Sequence, residues 1–435
     1  MKKYVLIAGV ICASVLPAMS TAGTQHAPRP TTTSRYVLDK VVVLSRHGVR
    51  PQTDTAKIEE ATGRKWPQWT VEDGLLSGHG YTGMTLQAAY QLEQWKRAGL
   101  HVGGACPNGS DLFIWSSAVQ RTRATAQAYL DGMFPGCGLR AGYKQGPDKD
   151  PLFKSADMNL SSPDLNKVRA EIMANVGSFN KVARRYQPSV DRLRAAVCGT
   201  KSGDCEFLNK PWALDESKPG QIKLKGPLSN GANIGETIRL QYSEGLPISE
   251  VAFGNGRTPR DIAKLSALHA AKYDLVSYTP ELARHGGTVL MSQLVKALQT
   301  GIDHSSPKEA LAKRIVLFVG HDTNIAQIKT MMGFGWKQGD YLAGDIPPGG
   351  SLVFERYFDK TTHRYFVRTS FNSMSMTQWR NLQRPTSRHP MLSTEFSTRG
   401  CFKSDVGMLC PVNKLTDTMK ALQVKDLRIP ARLYD

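Results

Sequence analysis

Residues 36–53 read Tyr36-Val37-Leu38-Asp39-Lys40-Val41-Val42-Val43-Leu44-Ser45-Arg46-His47-Gly48-Val49-Arg50-Pro51-Gln52-Thr53. The continuous β-branched run in this stretch reads as a buried strand. It ends abruptly in a turn that holds two guanidiniums, an imidazole and a glycine. A second apolar run, Arg314 to Gly320, ends in His321-Asp322-Thr323-Asn324, and a third, Asp111 to Ser116, leads into Gln120-Arg121-Thr122-Arg123 and an Ala-rich helix through Leu130. Apolar residues recur at helical spacing over Gly80–Leu100, and further helices are expected over Pro259–Thr279, Thr288–Thr300 and Ile325–Met332. The turn Pro347-Pro348-Gly349-Gly350 introduces a hairpin of Ser351–Tyr357 with Arg364–Thr369. Residues 51–80 and 138–160 read as loops, the first with room for short helices. Strands that alternate with helices imply an α/β sheet covered on both faces. Helical patterns over 161–245, interrupted at Cys198–Pro211 and Pro219–Pro227, read as an insertion.

The chain has 435 residues, enough for two domains or one large domain with an insertion. Hydrophobic residues make up 40%, which excludes a wholly disordered chain. The N-terminus has Lys2-Lys3, an apolar run from Tyr4 to Pro17 and a small-residue zone through Gly23. This is the pattern of a secretory signal peptide, cut after Ser20 or Ala22, and it is too short for a comfortable membrane span. No stable membrane insertion is expected. Loss of Lys2 and Lys3 lowers the formal charge from +19 to about +17, and loss of Cys12 leaves six of seven cysteines. An even number after export suggests full pairing. Fifteen pairings can be drawn; the neighbour set Cys106–Cys137, Cys198–Cys205 and Cys401–Cys410 is the expected one. The six lack the close CxxC spacing of a typical zinc site.

The excess positive charge attracts anions without saying which. The two strand-end clusters narrow the choice, because open α/β sheets build their sites where strands end. Arg46 and Arg50 offer rigid multi-donor contacts to phosphoryl oxygens. Gly48 allows a sharp turn and close ligand approach. His47 has the chemistry of a neutral nucleophile. His321 can donate to an anion and Asp322 can deliver a proton. Thr323 and Asn324 also suit a helix start. Homeodomain, zinc-finger and RNA-binding signatures are missing, so nucleic acid is not an expected partner.

The motif Arg46-His47-Gly48-Val49-Arg50-Pro51, taken with His321-Asp322, resembles the histidine acid phosphatase family, most of all its bacterial periplasmic phytase and glucose-1-phosphatase branch. The likeness extends through Gln120–Arg123, Leu240–Gly254, Pro348–Glu355 and the Cys401 and Cys410 region. One departure is visible: the family's proline often falls two places after the second arginine, where this chain has Gln52. The resemblance implies a histidine phosphatase (phosphoglycerate mutase-like) sheet core with a helical cap. The implied division is a signal peptide (1–22), a flexible lead-in (23–34), the first part of the core (35–150), a predominantly helical cap (151–258) and the second part of the core (259–435).

The same resemblance makes His47 the nucleophile and Asp322 the proton donor. It assigns substrate phosphate to Arg46, Arg50, Thr53, Arg121 and His321, with no metal and no organic cofactor. Trp66, Glu244 and Thr323 are the candidates for specificity. Leu240–Pro247 is closer to the glucose-1-phosphatase pattern, whereas His-Asp-Thr-Asn is closer to that of phytases. The expected protein is a monomeric, metal-independent acid phosphomonoesterase, periplasmic or secreted. Its expected substrate is myo-inositol hexakisphosphate, with glucose 1-phosphate or a wider range of sugar phosphates as the alternative.

Overall fold

A computed structural model describes residues 34–158, 160–217, 221–302, 309–427, 429–430 and 432–434. The leader (1–22), with Cys12, and nearly all of the lead-in lie outside the described residues. Eleven strands are described: β1 (Tyr36–Arg46), β2 (Leu112–Ser116), β3 (Gly142–Tyr143), β4 (Ala213–Asp215), β5 (Lys223–Lys225), β6 (Ile315–Gly320), β7 (Ser351–Asp359), β8 (Arg364–Ser373), β9 (Leu392–Phe396), β10 (Phe402–Ser404) and β11 (Gly407–Pro411). Nine of them form a mixed sheet in the order β10-β11-β8-β7-β1-β6-β2-β3, with β9 also on β8, while β4 and β5 pair separately. The half from β1 to β3 is parallel, and β7 runs antiparallel to β1.

The apolar run of β1 divides by parity. Val42 and Leu44 join Val316, Phe318, Leu352 and Phe354 on one face, under Leu290, Leu294, Ile325 and Leu415. Val41 and Val43 join Ile315, Leu317 and Val353 on the other, under Met84, Ala88, Tyr129 and Met133. The run Val41–Leu44, apolar at every position, therefore sits between two helical layers. A third apolar cluster holds the cap, through Val168, Ile172, Val190, Leu193, Ile234 and Ile238. Ile262, Leu265, Leu268 and Leu275 share it, so the cap's packing continues past residue 258.

The stretch 259–279 is not one helix. It breaks into Pro259–Leu265, Ala267–Lys272 and a π turn at Tyr273–Ser277. Apolar periodicity reports a buried face and is blind to a break that keeps the same face inward. Disulfides join Cys106 to Cys137, Cys198 to Cys205 and Cys401 to Cys410. Among the described residues, no helix is long and apolar enough to cross a membrane.

One packing chain runs from the helix Gly78–Arg97 to the end of β1. Trp379 is fully buried, and its indole N–H donates to the Pro348 carbonyl at 3.0 Å. The next residue, Gly349, donates its N–H to the His47 carbonyl at 3.0 Å. Gly83 makes room for this indole, since a Cβ there would lie 2.2 Å from Trp379 Cζ3. Gly83→Ala is therefore expected to lower stability by about 1–3 kcal/mol, despite the ordinary helix preference for alanine. Urea unfolding measures this, and the loss should shrink in a Trp379→Phe background. An unchanged midpoint would contradict the packing chain.

Lys40, buried, donates to the carbonyls of Leu311 at 2.5 Å and Thr300 at 3.3 Å. Burial, with Arg356 nearby, pulls its amine down to about 7 from 10.5. Between these values the unfolded chain binds the extra proton, so this site's contribution to stability rises with pH across that window. The stability of wild type relative to Lys40→Met should accordingly improve from about pH 7 to pH 9. A flat difference would argue against the shift.

Candidate active site

The parallel pairing of β1 with β6 sets Arg46 opposite Gly320, and that of β2 with β6 sets Ser116 opposite Val319. The residues that follow must emerge side by side at one rim of the sheet. The His47 N–H donates to the Gly320 carbonyl at 3.1 Å, and the Ser117 N–H to the Val319 carbonyl at 2.9 Å. The rings of His47 and His321 lie 5.8 Å apart, inclined at 72°. Gly48 is needed for close approach: a Cβ there would lie 2.8 Å from Met84 Cγ. Its N–H donates to Thr125 Oγ1 at 3.0 Å.

His47 Nδ1 lies 2.8 Å from the Gly48 carbonyl oxygen. A carbonyl only accepts, so Nδ1 carries the proton and Nε2 keeps its lone pair. Burial, then the charges of Arg50, Arg46 and Arg121, hold the imidazole well below its ordinary pKa. The neutral ring, with its lone pair on Nε2, is therefore favoured over the imidazolium. His321 is brought down to about 3 by burial and by Arg121, and its Nε2 lies 3.3 Å from Ser117 Oγ.

Arg46 is fully buried, with one guanidinium nitrogen 2.5 Å from the Ile346 carbonyl and another paired with Glu236 and, at 3.5 Å, with Asp322. Arg50 donates to the Pro51 carbonyl at 2.7 Å and Arg121 to that of Gly74 at 3.4 Å. The Nε atoms of Arg46, Arg50 and Arg121 are buried without a hydrogen-bond partner. Buried donors left unmatched are costly. Grouped around an imidazole they form a receptor for a multi-oxygen anion. Burial pushes Asp322 upward in pKa, but Arg46, His269 and His47 outweigh it and hold the carboxyl well below the usual range.

Six of the residues singled out in the sequence thus meet: Arg46, His47, Arg50, Arg121, His321 and Asp322. Thr53 is exposed and lies across Gly74 from Arg121, a Cβ at Gly74 being 3.6 Å from Thr53 Cγ2 and 3.8 Å from the Arg121 guanidinium. Gln52 is buried and turns to Asp73, 3.4 Å away, so the missing proline is replaced by a polar tie. Thr323 is exposed in the first turn of the helix Asp322–Met332, and the helix N-cap is His321.

Trp66 is corrected. It is 3% exposed, bonds Thr62 Oγ1 at 2.9 Å and meets Phe253 edge to face in the cap core, so it does not reach this site. Glu244 closes the helix Leu228–Glu244 and accepts from Ser77 Oγ at 2.5 Å, with burial pushing its carboxyl up to about 7. Ser77 is itself the N-cap of the helix Gly78–Arg97, so Glu244 has a structural partner.

A cap network with no contiguous sequence signature lies behind Arg46. Glu236 is shared between Arg46 and Arg239, and Arg239 also pairs with Asp345. Burial opposes the Glu236 charge, yet Arg239 and Arg46 bring its carboxyl down to about 2. The signal was present as Glu236 and Arg239, one turn apart in the stretch from Ile234 to Leu240, which has apolar residues at 234, 238 and 240. Ligand atoms of Glu236, His269 and Asp322 lie within 4.8 Å of one another, close enough to hold a metal ion. Two guanidiniums already match the Glu236 charge, so a cation would compete with both.

The family described as histidine phosphatase superfamily (branch 2) matches residues 37–372. A glucose-1-phosphatase from Salmonella typhimurium is 27% identical over 96% of this chain and 99% of its own. A phytase from Escherichia coli is 27% identical over 91% of this chain and 93% of its own. The crystal structure of a phytase from Klebsiella sp. ASR1 is 36% identical, covers 94% of this chain and 99% of that one, and superposes with a TM-score of 0.85. The chain therefore belongs to the histidine phosphatase superfamily, branch 2, as a histidine acid phosphatase akin to bacterial phytases and glucose-1-phosphatases.

Proposed function

We propose that this chain is a phytase, releasing phosphate from myo-inositol hexakisphosphate through a phosphohistidine at His47. The observation that carries the reaction is the set of unpartnered buried guanidinium donors around a neutral imidazole with a free Nε2. The similarity to the Klebsiella phytase, and to a Hafnia alvei phytase crystallised with myo-inositol hexakis sulphate at 29% identity, supports the substrate. Glucose 1-phosphate is the second reading, favoured by the Salmonella relative and by Leu240–Pro247.

In this mechanism Nε2 of His47 attacks phosphorus as the ester oxygen leaves. Arg46, Arg50, Arg121 and His321 hold the nonbridging oxygens and stabilise charge in the transition state, with Thr53 at the edge of the same site. The arginines serve the electrostatic role that metal ions serve in other phosphatases, so neither a metal nor an organic cofactor is assigned. Asp322 gives its proton to the leaving alcohol. The incoming phosphate's negative charge offsets the cations that keep this carboxyl ionised, and so raises its proton affinity at the moment it must donate. Water then cleaves the phosphorus–nitrogen bond, giving its proton to Asp322. The enzyme acts as a monomer after export to the periplasm or beyond the cell.

Steady-state kinetics at acidic pH tests the substrate: kcat/KM for phytate should exceed that for glucose 1-phosphate, and the reverse order would assign the second reading. Asp322→Asn should slow an alkyl phosphate by about 10²–10⁴-fold and an activated aryl phosphate much less. Equal losses on both would contradict the proton-donor role.

A further inference from the structure

His269 is buried on the helix Ala267–Lys272, behind the site. Its Nδ1 lies 3.2 Å from the Ala232 carbonyl oxygen and its Nε2 3.4 Å from Glu236 Oε2. Asp322 belongs to the same group, within 4.8 Å. The charged groups that face the ring are Glu236 and Arg239 from the helix Leu228–Glu244, Asp345 from the loop before β7, and Asp322 from the helix after β6. From its own segment Tyr273 meets the ring at 5.3 Å and bonds Asp322 through its hydroxyl.

A neutral imidazole has one N–H and one lone pair. Here both ring nitrogens face oxygens that accept. The Ala232 carbonyl has no proton to give, and Glu236 is held as a carboxylate between two arginines. The imidazolium alone satisfies both sides. Burial, and Arg239, oppose that charge and, against the pull of Glu236, hold the ring below its ordinary pKa.

We propose that His269, as an imidazolium held between Ala232 and Glu236, is a positioning residue that sets the upper pH limit at which Asp322 delivers its proton. This rests on the proton-donor reading of Asp322 given above. A cation beside Asp322 favours its carboxylate, so the ring confines proton delivery to acid. A side chain that is neutral at every pH removes that cation and strengthens the carboxyl's hold on its proton.

The test is the pH profile of kcat for wild type, His269→Gln and His269→Asn, with glycerol 2-phosphate and with p-nitrophenyl phosphate. The alkaline limb for glycerol 2-phosphate should move up by about one pH unit in the variants, the size expected for a charge at this range. The profile for p-nitrophenyl phosphate, whose leaving group needs no proton, should keep its shape. An unmoved limb, or one changed equally for both substrates, overturns the proposal. Asp322→Asn run beside them separates the two claims. If it slows both substrates equally, the proton-donor reading fails; if it discriminates while the His269 variants keep the wild-type limb, only the role of His269 fails. Should the His269 variants not fold, Asp322→Asn still decides the question. It removes an anion from beside the ring and must lower the pH at which His269 titrates by imidazole nitrogen NMR; an unmoved titration overturns the coupling.

Discussion

The parallel pairing of β1 with β6 is the constraint on which the site depends. Arg46 opposite Gly320 means that His47 and His321, far apart in sequence, leave the sheet as neighbours. The register is held by packing on both faces, because Val42 and Leu44 serve one helical layer while Val41 and Val43 serve the other. A slip of one residue would exchange the faces and separate the two strand ends. The turn at Gly349 adds a third fixed point, through its bond to the His47 carbonyl. The His47 backbone is thus set by three segments before any side-chain chemistry begins.

The second constraint is electrostatic. A buried guanidinium such as Arg46 is tolerable only when paired and hydrogen-bonded. Glu236 supplies the pair from the cap, Ile346 supplies a carbonyl, and Arg239 with Asp345 completes the network. One of the cap's carboxylates therefore matches a charge in the site. The same concentration of cations favours a neutral His47 and holds the Asp322 carboxyl low for as long as no anion offsets them.

The parts legible in the sequence share one property: their signal is local. β1 and β6 could be read because each is a short apolar run closed by a dense polar cluster. Arg46, His47, Arg50, His321 and Asp322 could be read because they stand at those closures. The cap network was missed because its members have no local signature as a set. Asp345 and Arg46 lie far from Glu236 in the chain, and a Glu–Arg pair one turn apart resembles an ordinary exposed helix pair. Trp66 misled for the opposite reason: an aromatic in a loop close to the first motif suggests a pocket wall, whereas the cap core needed its bulk. The break at Ser266 escaped notice because both halves of the segment turn the same apolar face inward.

The central claim is that His47 Nε2 takes the phosphoryl group, since His47 Nδ1 is committed to the Gly48 carbonyl. Rapid denaturing quench of a reaction with ³²P-labelled substrate, followed by peptide mapping under alkaline conditions that preserve phosphohistidine, tests it directly. The account predicts label on His47, bonded through Nε2 and absent from His47→Ala. Label on another residue, or the same adduct in His47→Ala, would contradict it.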